Sequence, residues 1–305
     1  MNAAVVFPGQ GSQFVGMADP WMAHDAGEQV LAEASGAMGR DVVAECHDEG
    51  ALATTDFVQP ALLACDVAAF RVLEALGATF SGAAGHSLGE FAALVAAGTL
   101  ELAAALAIVV VRGRAMQRAA KERPGTMTAL LGIGSEAAAE ICDEARGDGV
   151  LLVANENSPR QVVISGSVDA IERAEAIAAE RKVRAVRLNV AGAFHSSLME
   201  PAVAPLAEAI AKAPFRAPRF PVASNVTGTP VSDPDELRML LERHVVSPVL
   251  WERCERSLAA AGADTFVEAG PSDVLTKMAK RVVPEARAVA VGSPEAAAGF
   301  VRGEG

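Results

Sequence analysis

Apolar positions along this chain come in two kinds, short unbroken runs and longer stripes at helical spacing, and their order gives a first structural reading. Ala3 to Phe7 is an unbroken apolar run that meets Pro8-Gly9-Gln10-Gly11, the form of a strand buried on both faces and stopped by a turn. Helical stripes dominate from there to about Lys121, interrupted where Ala83-Ala84 closes a short buried strand. Leu88 to Ala97 reads as a tightly packed helix stopped at Gly98, and a longer helix runs from about Leu100 to Lys121. Pro124-Gly125 breaks the pattern. Beyond it the periods predict strand Met127 to Gly132, helix Ser135 to Arg146, strand Val150 to Ala154, strand Gln161 to Ser165, helix Val168 to Lys182 and strand Arg184 to Asn189. That β-α-β-β-α-β order is the ferredoxin-like pattern. It predicts a small α/β unit, residues 124–190, inserted into a larger one made of 1–123 and 191–305. The larger unit resumes with a helix from about Ser197, a strand near Phe220 to Ser224, and helices Pro234 to His244 and Trp251 to Ala261. A final strand, Thr265 to Glu268, leads to a last helix near Ser272 to Val282, and the Ala-rich tail from Glu295 is expected to be loosely held.

Composition narrows what such a chain can do. Hydrophobic residues make up 51% and charged residues 21% of the 305 positions, which suits a globular protein with a large core. A formal net charge of -12 without any Lys/Arg-rich run argues against nucleic acid as a partner, because phosphate neutralisation needs a basic face. Cys46, Cys65, Cys142 and Cys254 lie far apart with no C-x-x-C pair, so neither disulfides nor a metal site is expected and a reducing cytoplasm is the natural compartment. The longest apolar run, Leu102 to Val111, is bounded by Glu101 and Arg112, far short of the roughly 20 residues of a membrane span. Two glycine-rich stretches partly match a dinucleotide fingerprint. Gly132 to Ala137 has Glu156 downstream, but an Asn-Ser-Pro turn stands where a parallel crossover helix is needed; Gly9 to Phe14 fails at its sixth position. Nucleotide binding is not expected.

The chemistry concentrates elsewhere. Gly85-His86-Ser87-Leu88-Gly89 matches G-x-S-x-G, a strand-to-helix turn too tight for bulky neighbours that exposes a serine near the positive end of a new helix. A serine nucleophile needs a base. His86 sits beside it, where adjacent side chains diverge, and His24, His47 and His244 lie in polar helical surroundings that read as solvated surface. His195, in Gly192-Ala193-Phe194-His195-Ser196, stands between a strand and a helix and is the best candidate. Carboxylates between Ser87 and His195 fall in the inserted unit or on polar helix faces, so a dyad with the imidazole held by a backbone carbonyl is the simpler arrangement. Arg112 is an oddity: Arg114, Gln117, Arg118 and Lys121 share a polar helix face, whereas Arg112 points with Ala105, Ile108, Val109 and Met116. It is either paired with an internal carboxylate, snorkelling from the core, or waiting for a ligand carboxylate that fits its planar fork. Backbone N–H groups of the Gly9-Gln10-Gly11 turn could converge on an anion.

Taken together, Phe7-Pro8-Gly9-Gln10-Gly11-Ser12-Gln13, Gln59-Pro60-Ala61, Gly85-His86-Ser87-Leu88-Gly89-Glu90, Arg112-Gly113-Arg114-Ala115-Met116-Gln117, Asn157-Ser158-Pro159 and Gly192-Ala193-Phe194-His195-Ser196 occur in order and at family-like spacing. The set resembles the malonyl-CoA:acyl carrier protein transacylase family, with the acyltransferase domains of polyketide synthases as close relatives. The resemblance runs from Val5 to about Arg281. It implies an α/β-hydrolase-like core with an inserted ferredoxin-like domain, and malonyl transfer from CoA to the phosphopantetheine thiol of acyl carrier protein by a cytoplasmic monomer without metal or other cofactor. In that frame Ser87 is the nucleophile, His195 its base and Arg112 the partner of the malonyl carboxylate. Gln10 and Leu88 supply oxyanion-hole N–H groups, and Gln59 and Met116 line the pocket. Phe194 matches the malonyl-type version of its segment, so methylmalonyl-CoA should fit poorly. One departure is Ser247-Pro248-Val249-Leu250-Trp251, where many members have Asn-Pro-Val-Gln-Trp; Leu250 would take over the main-chain carbonyl contact to the histidine. Acyl carrier proteins are typically acidic, as this chain is, so docking needs a local basic patch, and Lys277, Lys280 and Arg281 share one face of the last helix. The rivals are a discrete acyltransferase serving a polyketide carrier, a serine thioesterase or lipase, and a carrier-docking scaffold without chemistry.

Overall fold

The computed structural model describes residues 2–304. Ala3–Phe7 forms β1, buried at every position. It lies in the middle of a six-stranded sheet with Gly82–Gly85 (β2) on one side, while Thr126–Leu131 (β3), Leu151–Ser158 (β4), Gln161–Gly166 (β5) and Arg184–Arg187 (β6) build a separate sheet. Val222–Ala223 (β7), Pro230–Val231 (β8), Thr265–Ala269 (β9) and Arg287–Val291 (β10) complete the first, in the order β10-β9-β1-β2-β7-β8. All of its neighbours are parallel except β7–β8.

A central parallel sheet buries both faces, and period-two alternation assigns each residue to one of them. Val5, Phe7, Ala83 and Val267 pack against helices Thr55–Ala75, Gly89–Ala96 and Leu102–Glu122. Ala4, Val6, Ala84 and Phe266 pack on the other side against Trp251, Leu258, Leu275 and Met278 from helices Trp251–Ala260 and Val274–Val282. Each fully buried large apolar side chain contributes about 1.5–3 kcal/mol, so these layers hold the strand ends rigidly.

The second sheet, β4-β5-β3-β6, is antiparallel throughout and carries helices Ser135–Ala145 and Val168–Glu180 on one face, a ferredoxin-like unit. Leu130, Val162 and Ile164 meet Ala138, Ile141 and Ile171 of those helices. Met127, Ala129 and Val163, on the opposite face, join the core of the larger unit. β3, which leads into Gly132–Ala137, pairs antiparallel with β5 and β6, whereas a dinucleotide fingerprint sits in a parallel βαβ unit. Val249 bridges this unit to the other, its N–H donating to Ala154 O and its carbonyl accepting from Glu156 N.

Two expectations for the C-terminal region fail. Thr265–Ala269 is not the final strand, because β10 follows on the sheet edge. Nor is the tail loose: Ser293 caps helix Pro294–Val301, and Ala297 and Phe300 are buried in the main core. Two apolar anchors suffice to dock a short helix, and an Ala-rich stretch conceals them. Among the described residues no helix is long and apolar enough to cross a membrane.

Candidate active site

Strand β2 ends at Gly85 and helix Gly89–Ala96 starts four residues later, with Ser87 between them at φ 51. Such left-handed backbone is uncommon for a residue with a Cβ. Both glycines are required sterically. A Cβ on Gly85 would lie 1.9 Å from the Gly89 carbonyl, and one on Gly89 would lie 2.2 Å from Phe7 O. The turn is thus pressed against the end of β1, and the serine projects from the C-terminal edge of the sheet, where ligands of open α/β folds gather.

Ser87 Oγ lies 2.8 Å from His195 Nε2. His195 itself sits at φ 57 in the connection after β6, 97% buried. Its Nδ1 is 3.1 Å from His244 O and 3.0 Å from Ser247 O. Carbonyl oxygens only accept, so Nδ1 carries the proton and Nε2 offers its lone pair to the serine hydroxyl. Burial, then the Arg112 charge and then His86 push the imidazole down to about 3, so it is neutral at ordinary pH. Among the described residues no carboxylate forms a hydrogen bond or ion pair with it. The carbonyl contact comes from His244 and Ser247 rather than from Leu250, which serves as N-cap residue of helix Trp251–Ala260 and donates its N–H to Asn225 O. His86 turns away as expected, bonded through Nε2 to Asn157 Oδ1 at 2.8 Å and tilted over Trp251.

Arg112 is 1% exposed and reaches the same point. Its Nη2 donates to Ser87 Oγ at 3.1 Å and its Nη1 to Gln59 Oε1 at 2.7 Å, while Nε has no partner. Among the described residues no Asp or Glu forms an ion pair with it. Burial lowers its pKa to about 10, opposed by the field of Glu90. The internal-carboxylate and snorkelling alternatives therefore fail: this cation is buried, charged and unpaired. Gln59 is fixed in turn, its Nε2 lying 3.2 Å from Gln10 Oε1 and 3.7 Å from Met116 Sδ.

These groups line one cavity of about 530 Å³ between the two units, with Gln10, Gln59, Leu88, Met116 and Phe194 on its wall. Among the described residues the backbone N–H groups of Gln10 and Leu88 donate to no protein acceptor, so both remain available to a ligand. Also among the described residues, no cluster of His, Cys, Asp or Glu could hold a metal ion. The arrangement is a polarised serine with a neutral base, free donors and a fixed cation, equipped for acyl transfer through a serine ester.

Comparison with known proteins decides the class. Residues 4–302 match the family model described as acyl transferase domain. The chain belongs to that family. This acyltransferase is 42% identical over 300 residues to the malonyl CoA-acyl carrier protein transacylase of Escherichia coli K12, with 97% of each chain covered. The protein of the same name from Bacillus subtilis strain 168 is 36% identical over 297 residues, covering 96% of this chain and 94% of the relative. Among solved structures, a type II PKS acyl-carrier protein in complex with its malonyl-transacylase matches with TM-score 0.96, 36% identity and complete coverage of both chains.

Not every expected site residue lies on the cavity. Lys277, Lys280 and Arg281 are exposed on the outer face of helix Val274–Val282, whose buried residues Leu275 and Met278, with the exposed Val274, do line it. Lys277 is held by Asp273 at 2.7 Å, and Arg281 reaches Gln161 Oε1 of the small unit at 3.3 Å. Reading His244 as a solvated surface residue is wrong: it is fully buried with its ring 5.4 Å from that of His195. Its acidic and basic neighbours in sequence point outward from helix Pro234–Arg243, but His244 begins the next turn and faces in. Asn225 escaped the sequence reading altogether. Only its place directly after a strand, on the edge where Ser87 lies, could have marked it.

Proposed function

We propose that this acyltransferase moves malonyl from malonyl-CoA to the phosphopantetheine thiol of an acyl carrier protein through an ester on Ser87. The observation that carries the reading is Arg112, a buried guanidinium without a carboxylate partner, 3.1 Å from the serine it would serve. Such a cation is costly unless an anion completes it, and a carboxylate matches its fork. The names of the relatives support the same substrate.

In the first half-reaction Ser87 Oγ attacks the thioester carbonyl while His195 Nε2 takes its proton. The N–H groups of Gln10 and Leu88 hold the oxyanion. Collapse expels the CoA sulfur, which leaves with the proton from His195. The carrier thiol then gives its proton to His195 and attacks the ester, and the second collapse returns the proton to Ser87. Gln59, Met116 and Phe194 enclose the acyl group. The cycle draws on this chain's side chains and two thiols only, without a cofactor. Residues 124–190, taken as the inserted unit, form the far wall of the cleft. Lys277, Lys280 and Arg281 are exposed on the helix whose Leu275 and Met278 line the cleft, and we assign them to carrier docking. Four separate buried cysteine thiols suit a cytoplasmic enzyme.

Intact-mass measurement after mixing with malonyl-CoA tests the reading. A malonyl adduct that vanishes on adding carrier protein is expected, and free malonate with no malonyl-carrier would establish a hydrolase instead. The likeness to the solved complex with a type II PKS carrier favours one second reading, service to a polyketide carrier. Relative kcat/KM for the two kinds of carrier from the source cell decides between them.

A further inference from the structure

Ser87 does not hold its strained conformation alone. Its backbone N–H donates to Asn225 Oδ1 at 2.7 Å, and Asn225 Nδ2 donates to Gly85 O at 2.8 Å. One side chain therefore clamps the turn from both flanks of the nucleophile. The amide orientation is dictated by these partners, since Gly85 O can only accept and Ser87 N–H can only donate. Asn225 is fully buried and is fixed by its own backbone: its N–H donates to Glu90 Oε2 at 2.9 Å and its carbonyl accepts from Leu250 N at 2.9 Å. Asn225 Oδ1 is also 3.3 Å from His244 Nε2, and His244 O is one of the two carbonyls that hold His195. A second route thus connects nucleophile and base, through Asn225 and His244, besides their direct hydrogen bond.

We propose that Asn225 is a positioning residue for the acyl transfer: it aims Ser87 Oγ at His195 Nε2, and through His244 keeps the aim of the serine in register with the hold on the histidine. Asn225 does not line the cavity, so it acts on the reacting pair and leaves substrate binding alone. Displacement of a reacting group by about 1 Å can cost on the order of a hundredfold, and Ser87 Oγ is moved directly when its N–H loses its anchor. The inference rests on the malonyl-transfer reading for its substrate. It is therefore tested with a probe that needs the serine and its base but no malonyl group.

The probe is a fluorophosphonate: Ser87 Oγ bonds to phosphorus, fluoride leaves, and the serine proton passes to His195. Asn225→Ala should slow both phosphonylation and single-turnover malonylation about 30- to 100-fold, with malonyl-CoA affinity, measured in a Ser87→Ala background, changed less than twofold. Asn225→Asp supplies the finer test. When protonated, its carboxyl can donate to Gly85 O and accept from Ser87 N–H, as the amide does; when ionised it opposes the Gly85 carbonyl. Its rate relative to Asn225→Ala should therefore rise at least tenfold from pH 8.5 to 5.5. Glu90, His86, His195, His244, Arg112 and Cys254 surround the position in both variants, so the ratio removes their common contribution. Labelling by Asn225→Ala within threefold of the parent overturns the proposal. So does a ratio that stays flat with pH, or a loss confined to malonyl-CoA affinity. If Asn225→Ala does not fold, Asn225→Asp referred to the parent gives the same pH test. If the parent labels with fluorophosphonate but forms no malonyl ester, the substrate reading fails and the positioning role is still decided by the probe.

Discussion

Replacing Arg112 by Met removes the charge and keeps most of the side chain's length, so it separates recognition from packing. Burial lowers the guanidinium from an ordinary 12.5 to about 10, which corresponds to about 3 kcal/mol against the charged form in the free enzyme. A malonyl carboxylate would restore the missing partner, and stranding one member of a buried pair costs about 3–5 kcal/mol. Arg112→Met should therefore lower kcat/KM for malonyl-CoA by roughly 150- to 5,000-fold. Acetyl-CoA has no carboxylate and should gain relative to it. Folding should respond little: relief of the desolvation offsets the lost charge-assisted bonds to Gln59 and Ser87, each worth about 1.5–3 kcal/mol, so the melting temperature should hold within a few degrees. The base responds as well. The Arg112 charge helps to depress His195, and its removal raises the imidazole pKa, moving the acid limb of acetyl-CoA acylation to higher pH. Steady-state kinetics with both thioesters, a thermal melt and a pH profile complete the measurement. An unchanged malonyl-to-acetyl ratio combined with a lowered melting temperature would falsify the recognition role and leave Arg112 as a structural residue.

Ser87→Ala should abolish the acyl-enzyme seen by mass spectrometry while leaving the melting temperature within a few degrees, and His195→Ala should drastically slow both half-reactions; transfer near the parent rate by either variant would remove the dyad. Burial raises Glu90 to about 7, and a carboxyl whose folded pKa lies above its unfolded one contributes stability at low pH that is lost as pH rises from about 4.5 through 7. Asp66, Glu255 and Glu268 act in the same direction, and the lowered His86, His195 and His244 oppose it below their ordinary 6.5. Urea titrations should show Glu90→Gln gaining on the parent by about 3 kcal/mol between pH 4.5 and 8, and a constant difference would show that Glu90 does not titrate there. Charge reversal at Lys280 and Arg281 should raise KM for the carrier but not for malonyl-CoA, with the effect shrinking as salt is added because the Debye length is about 8 Å at physiological ionic strength; equal low-salt kinetics would move docking elsewhere. Phe194→Ala should improve methylmalonyl-CoA relative to malonyl-CoA, and an unchanged ratio would show that this ring does not set the limit.

What the sequence made legible was whatever is written locally. Gly85-His86-Ser87-Leu88-Gly89 is a sharp turn because two glycines are needed within five positions; the contact that requires Gly85 lies within the turn itself, and the one that requires Gly89 is with the end of β1. Arg112 was visible because helical periodicity exposes a charge on the wrong face, although only the structure shows it without a carboxylate. The β-α-β-β-α-β order was readable from the apolar periods, since both helices and strands β3, β4 and β5 bury apolar residues at regular positions. By contrast, the Ser87–Asn225 bond spans 138 positions, and no local pattern encodes such a pairing. His244 was misread because its neighbours are polar while its own turn faces inward. The histidine's carbonyl partners were equally hidden, because any residue can offer a carbonyl and only tertiary geometry selects His244 and Ser247 over Leu250. The edge strand β10 escaped although Ala288 to Val291 is an unbroken apolar run, and its helix escaped because Ala297 and Phe300 are its buried positions in an Ala-rich stretch.

The parallel arrangement of β1, β2, β9 and β10 has an engineering consequence. Ser87 lies beyond their C-terminal edge, whereas Asn2, Asp264, Arg287 and Glu304 meet at the opposite edge, where Asn2 N donates to Asp264 Oδ1 and Arg287 Nη2 to Glu304 O. Any module joined covalently at either described end therefore starts on the far side of the molecule from the cleft. For a chain of this length the radius of gyration is about 19 Å, so a tether must cover roughly 40 Å around the surface. A flexible Gly/Ser chain reaches about 5–6 Å times the square root of its length, and on the order of 50 residues are needed before its average span matches that path. Affinity tags and surface immobilisation through the ends are accordingly harmless to substrate access, while a short-linked carrier fusion would keep its thiol out of reach of its own enzyme and load only between molecules.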